Sequence, residues 1–149
     1  MTAKNVRQDL HRLATSYRAA ILKVQPSHLP VTMQSFPNGA CGDACLLLAK
    51  FLEQHGHCGF DYMLGLRDGC SHAWIQREGL IIDITADQFD DVTEPVIVSD
   101  SSPWHDSFEP EDLHSADFMI YDEHTRMTLA GAYSIVCKQL PEELRPSRP

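Results

Sequence analysis

Apolar residues at Val6, Leu10, Leu13, Tyr17, Ile21 and Val24 recur in three- and four-residue steps, the spacing of one buried stripe on a helix over residues 4–24. Pro26 and Pro30 end that pattern and open an irregular stretch of about 25–40, closed by the turn signal Phe36-Pro37-Asn38-Gly39. A second helix is expected over about 41–55, with Ala44, Leu47, Leu48, Phe51 and Leu52 as its core face and Gly56 as its stop.

From Phe60 the period changes from helical to alternating. Phe60–Leu66 predicts a strand, Asp68-Gly69 a turn, and Ser71–Ile75 and Leu80–Thr85 the two arms of a hairpin. Val96-Ile97-Val98 predicts a short strand within 95–99, and Ala116–Tyr121 another. The Ser-, Pro- and acid-rich segment 100–116 predicts a loop, from which His105 could reach a site but is expected rather at the surface, and Leu129, Ala132, Tyr133, Val136 and Leu140 predict a helix over 127–140. The tail 145–149 is expected to be disordered. The expected fold class is therefore α+β, a central helix packed on an antiparallel sheet, in a single domain of residues 1–144.

With 149 residues, 43% of them hydrophobic, the chain suits one domain with a core large enough to frame a cleft. No apolar run reaches the length of a membrane span, so no membrane partner is expected. The first twenty residues carry scattered charge and no apolar leader core. A cytoplasmic location is expected, or export by a route that needs no such leader. The balance of 12 basic against 21 acidic residues leaves a net charge of −9 and no basic patch, which excludes nucleic acid as an expected partner. Five cysteines, an odd number, argue against a disulfide framework and leave room for one reactive thiol.

That thiol is sought in Asn38-Gly39-Ala40-Cys41-Gly42-Asp43-Ala44, where two glycines bracket a cysteine at the start of a helix. Free N–H groups and the positive dipole end of a helix favour a thiolate and supply donors to an oxyanion. Gly39 and Gly42 would let a substrate backbone come close to the sulfur. Asp43 suits a helix N-terminus but opposes a thiolate unless it points away.

A thiolate needs an imidazole, and the imidazole an acceptor. Of eight histidines, His72 lies in the strand-like run Ser71-His72-Ala73-Trp74-Ile75, and Asp83 lies in the equally apolar run Leu80–Ile84. A buried carboxylate there is costly unless paired. The hairpin geometry tests the pair. A four-residue loop, Gln76–Gly79, sets 72 opposite 83, and a two-residue loop, Glu78-Gly79, makes them diagonal neighbours on one face. A three-residue loop without a bulge puts them on opposite faces.

Together, Gly39-x-Cys41-Gly42-Asp43-Ala44, His72-Ala73-Trp74 and Asp83-Ile84-Thr85 resemble the Cys, His-x-Trp and Asp-x-Thr blocks of the transglutaminase-like superfamily, which shares its core with papain-like peptidases. The resemblance covers Asn38 to Thr85. It implies Cys41 as nucleophile, His72 as general base and Asp83 as the orienter of His72. Papain-like enzymes place an oxyanion-hole glutamine shortly before the cysteine, and Gln34, one residue further off than that spacing, is the candidate here. Trp74 is a candidate for the cleft wall, with a buried core tryptophan the equal or better reading. The chain is short for a protein-crosslinking enzyme. Small papain-like toxins and effectors, including glutamine deamidases, have a similar size and block order.

The expected activity is thus a cysteine-nucleophile hydrolase of amide bonds, a peptidase or a glutamine deamidase, on a protein or peptide substrate and without a cofactor. Acyl transfer shares the chemistry, and a non-catalytic member would bind a partner through a degenerate cleft. His55, His57, Cys58, Cys70 and His72 lack the paired spacing of a zinc site. Asp83, Asp87, Asp90 and Asp91 lack the glycine and terminal glutamate of a calcium loop. No metal is expected.

Overall fold

The computed structural model describes residues 2–146; residues 147–149 of the expected disordered tail lie outside the described residues. Helix α1, Ala3–Lys23, starts at Thr2, whose hydroxyl accepts the Asn5 N–H at 3.2 Å, and buries Leu10, Leu13, Ala14, Tyr17, Ala20 and Ile21. Helix α2, Cys41–Gln54, is buried on nearly every side from Ala44 to Leu52, which marks it as the central element. Tyr17 lies between Phe51 and Tyr133, with ring centroids 4.8 and 6.2 Å away, and so ties α1 to α2 and to the C-terminal helix.

The five strands are β1 (Asp61–Arg67), β2 (Cys70–Arg77), β3 (Leu80–Asp83), β4 (Ile97–Ser99) and β5 (Glu109–Ser115). They form one sheet in the order β4-β3-β2-β1-β5, antiparallel at every junction. The fold is α+β, and α2 packs on β2. Both tight hairpins use two-residue turns. Asp68-Gly69 and Glu78-Gly79 have positive φ at both positions (51° and 79°, 50° and 82°), the geometry whose twist matches the flanking strands. Ala73, Ile75, Ile82 and Ile84 join the main core with α1 and α2. On the other face Trp74, Ile81 and Phe108 form a second cluster, flanked by Met63, Phe89 and Trp104.

Three expectations are corrected. Residues 100–116 are not a loop. They hold a short helix α3, Pro103–Asp106, and strand β5. β5 is an edge strand exposed along most of its length, so no apolar alternation marks it, and Pro110 is tolerated at an edge. Ala116–Tyr121 is not a strand. Phe118–Ile120 is a 3-10 turn capped by Asp117, whose carboxylate accepts the Met119 N–H at 2.9 Å. Helix α4 spans Glu123–Cys137 and begins one turn earlier than expected, because its first turn is polar and capped by Asp122, which accepts from Thr125 N at 2.8 Å. In the tail, Arg145 donates to the carbonyls of Leu140 (3.1 Å) and Lys138 (3.3 Å). No helix among the described residues is long and apolar enough to cross a membrane.

Candidate active site

Arg77 pairs with Leu80, so the β2–β3 turn is the two-residue Glu78-Gly79. That register makes His72 and Asp83 diagonal neighbours on one face. Their side chains meet: His72 Nε2 lies 2.6 Å from Asp83 Oδ2, with both side chains sealed from solvent. A carboxylate oxygen only accepts, so the ring donates from Nε2 and its Nδ1 is the nitrogen left for a second partner.

Cys41 is the first residue of α2 and is half-buried. Its thiol is a neighbour of the His72 ring, close enough to raise that ring's pKa. The N-cap, Ala40, has no side chain that can accept, which leaves the first-turn N–H groups beside the sulfur uncapped. Asp43 is engaged by the Thr32 hydroxyl, which donates to its Oδ2. A Cβ on Gly42 would sit 3.3 Å from the Tyr62 hydroxyl. Gly39 lies in the preceding loop with φ 69°, and its N–H donates to Gln88 Oε1 at 3.2 Å.

Asp83 is saturated. Its Oδ1 accepts from Thr85 N at 2.8 Å and Thr85 Oγ1 at 3.4 Å, and its Oδ2 accepts from His72 and also from His105 Nε2 at 2.7 Å. Burial favours the neutral acid, but the hydrogen bonds from His105 and His72 win, and the carboxyl is held well below its usual range. For His72, burial by itself disfavours the charged ring. The hydrogen bond to Asp83 and the neighbouring Cys41 sulfur outweigh that, and its pKa is pushed up to about 9. His72 is therefore an imidazolium at neutral pH, with one N–H on Asp83 and the other available to the sulfur.

The segment after Asp83 is held by Arg18 of α1. Its guanidinium clamps Asp87 at 2.8 and 2.9 Å and donates to the carbonyl oxygens of Ile84 (2.5 Å) and Pro95 (3.2 Å). This fixes Gln88, whose Nε2 lies 3.4 Å from His72 Nδ1 and donates to Thr85 O at 3.0 Å. Gln88 so links Thr85 to the Gly39 loop beside the His72 ring.

Gln34, Trp74 and His105 each take a definite place. Gln34 donates its amide to Leu29 O at 3.1 Å, which commits that group away from an oxyanion. Trp74 takes the buried-core place that was weighed against the cleft wall, 5.7 Å from the Phe108 ring and 4.8 Å from that of His105. His105, placed at the surface in preference to the site, is 2% exposed and bonded to Asp83. Sequence reasoning thus favoured the wrong place for His105, and it missed Gln88. The one local signal for His105 was Ser102-Pro103, an N-cap followed by a first-turn proline, which starts α3 and aims the ring inward. Gln88 had no signal beyond following Asp-x-Thr by three residues.

Among the described residues, His72, Asp83 and His105 are the one group of three metal-ligating side chains within reach of one another. Their nitrogen–oxygen separations of 2.6 and 2.7 Å are those of charge-assisted hydrogen bonds. Donors sharing a tetrahedral ion at about 2.0–2.1 Å from each would stand about 3.3 Å apart. The cluster is a hydrogen-bond network in this geometry. Of the other residues weighed for zinc, His57 pairs with Asp9 at 2.7 Å and His55 packs on Phe51.

No protein-family model matches the chain, and no curated protein or solved structure matches it significantly.

Proposed function

We propose that this protein is a thiol enzyme acting on amide bonds, a peptidase or a glutamine deamidase, with the transglutaminase- and papain-like type of core that its three sequence blocks resemble. One observation carries the reading: the row Cys41–His72–Asp83, with a buried carboxylate at one end and a half-exposed sulfur on an uncapped helix N-terminus at the other. An imidazolium beside the sulfur is the counter-ion that an attacking thiolate needs.

In the proposed reaction the Cys41 sulfur attacks the carboxamide carbon, and the oxygen takes the displaced electron pair. Free N–H groups of the α2 first turn stabilise that oxyanion. The carbon–nitrogen bond breaks as His72 gives its Nδ1 proton to the leaving amine, which forms a thioester. His72, now neutral, takes a proton from water as the water attacks, and the carboxylate product and Cys41 separate. Asp83 keeps the Nε2 proton in place throughout, so that Nδ1 does the proton transfer.

The test is mass spectrometry of candidate proteins and peptides incubated with wild type and with Cys41→Ala. A gain of about one dalton marks deamidation, new termini mark proteolysis and conjugates mark acyl transfer. Each change must vanish in Cys41→Ala. Substrate turnover that survives Cys41→Ala would overturn the reading.

A further inference from the structure

We propose that His105 is a positioning residue that shares the Asp83 carboxylate with His72 and thereby sets how firmly the His72 ring keeps its proton. The inference rests on the thiol-enzyme reading above and adds a fourth member to the row.

A carboxylate has about four good acceptor positions. Asp83 fills all of them, with Thr85 on Oδ1 and two imidazoles on Oδ2. The two rings compete for one oxygen, since His72 Nε2 stands 2.6 Å from Oδ2 and His105 Nε2 stands 2.7 Å away. His105 is itself fixed. Its Nδ1 lies 2.5 Å from Ser102 Oγ, its N–H donates to that hydroxyl at 3.3 Å, and Trp74 and Trp104 hold its ring edge-on at 4.8 Å. A residue that only filled space here would not need its ring nitrogen on the oxygen that already holds the catalytic histidine.

The consequence has a sign. Taking the N–H donor of His105 away leaves the full charge of Oδ2 to His72, which then holds its proton more tightly. The same sign follows if His105 is charged, because a positive neighbour is then removed. A merely structural role gives the opposite sign: if losing His105 let the carboxylate swing away, His72 would lose its acceptor and release its proton more easily. The other titratable groups facing this pair are Cys41 and Cys45 on α2, and Arg67 on β1. Arg67 lies 4.7 Å over Phe108 and 5.0 Å over Trp104 and contacts Asp91. None of these is changed by the test.

The experiment follows Cys41 alkylation by iodoacetamide, and the His72 ring signal by NMR, against pH in wild type, His105→Phe and His105→Gln. In His105→Phe the His72 step moves to higher pH by at least about half a unit, a threefold tighter hold on the proton. In His105→Gln, whose amide can still donate to Oδ2, it stays within half that distance of wild type. A step that is unchanged or lower in folded His105→Phe overturns the inference and leaves the thiol-enzyme reading standing. A wild-type profile with no His72 step strikes the reading itself. Should His105→Phe not fold, His105→Asn, whose amide is too short to reach Oδ2, takes its place with the same expected rise. In wild type, ring nitrogen NMR must show His105 protonated at Nε2 across the folded range; an unprotonated Nε2 also overturns the proposal.

Discussion

His72 and Asp83 sit diagonally across a two-residue turn, and their side chains meet at 2.6 Å with no access to water. The pair is expensive to bury and is held by four donors on the one carboxylate, so its removal is felt in both stability and chemistry.

Asp83→Asn keeps the shape but removes the charge. Its single carbonyl oxygen cannot satisfy His72, His105 and Thr85 together. Breaking a buried pair of this kind costs roughly 3 kcal/mol, to be read from urea unfolding at pH 7. Loss of the proton-holding partner lowers turnover by about 100-fold or more on whichever substrate the mass-spectrometric screen identifies. Stability and turnover both within error of wild type would remove Asp83 from the site.

Protonation of the same pair makes stability depend on pH in two windows. The His72 pKa rises from an unfolded value of 6.5 to about 9 in the fold, so its contribution is complete below 6.5 and is lost as pH rises through 9. Asp83 is shifted down, so its contribution is complete above an unfolded value of 3.8 and is lost as pH falls below it. The urea midpoint is therefore expected to plateau between about pH 5 and 6.5 and to fall on either side. In Asp83→Asn both shoulders shrink. A midpoint that climbs from pH 7 to 9 would contradict the charged state assigned to His72.

Gly42→Ala separates packing from chemistry. An alanine in a helix is favoured over glycine by about 1 kcal/mol, but its Cβ would stand 3.3 Å from the Tyr62 hydroxyl. The hydroxyl must give by a few tenths of an ångström, one residue from the sulfur. Thermal stability is expected to change little while Cys41 alkylation slows, and the double change Gly42→Ala with Tyr62→Phe is expected to recover the rate. Failure of the second change to restore it places the cause elsewhere than in this contact.

Gly65→Ala tests the wall behind the histidine. Gly65 pairs with His72 in the β1–β2 ladder, and a Cβ there would meet Phe108 Cβ at 2.7 Å and the Trp74 ring at 3.2 Å. Neither neighbour is the free end of a flexible chain. Overpacking of this kind costs about 1–3 kcal/mol, measured as a lowered melting temperature, and it displaces the aromatic residues that seal His72. An unaffected melting temperature would mean that β5 yields more easily than its packing implies.

How far the site was legible varied with how local its signals are. Cys41 was marked by flanking glycines and by the onset of an apolar helix, both readable within a few residues. His72 and Asp83 were marked by polarity inside apolar runs, and the Glu78-Gly79 turn was among the lengths that place them on one face. His105 carried no such mark. It stands between Trp104 and Asp106 in a polar stretch, and its burial follows from Trp74 and Asp83, which lie far from it along the chain. β5 was hidden for a related reason: an exposed edge strand needs no alternation, because it has no buried side to pattern.

The sequence by itself determined the helices that bury a stripe, most of the strands that alternate, the places of the two glycine-bearing turns and the pairing of His72 with Asp83 as polar residues inside apolar runs, because periodicity, turn conformation and the cost of a buried charge act over short distances along the chain. Only the tertiary structure decided which donors converge on Asp83, that Gln34 faces Leu29 while Gln88 faces His72, and that a second histidine closes the network. Those choices depend on which segments meet in space, and a hydrogen bond such as that of His105 to Asp83, 22 positions away, leaves no pattern that a local reading can detect.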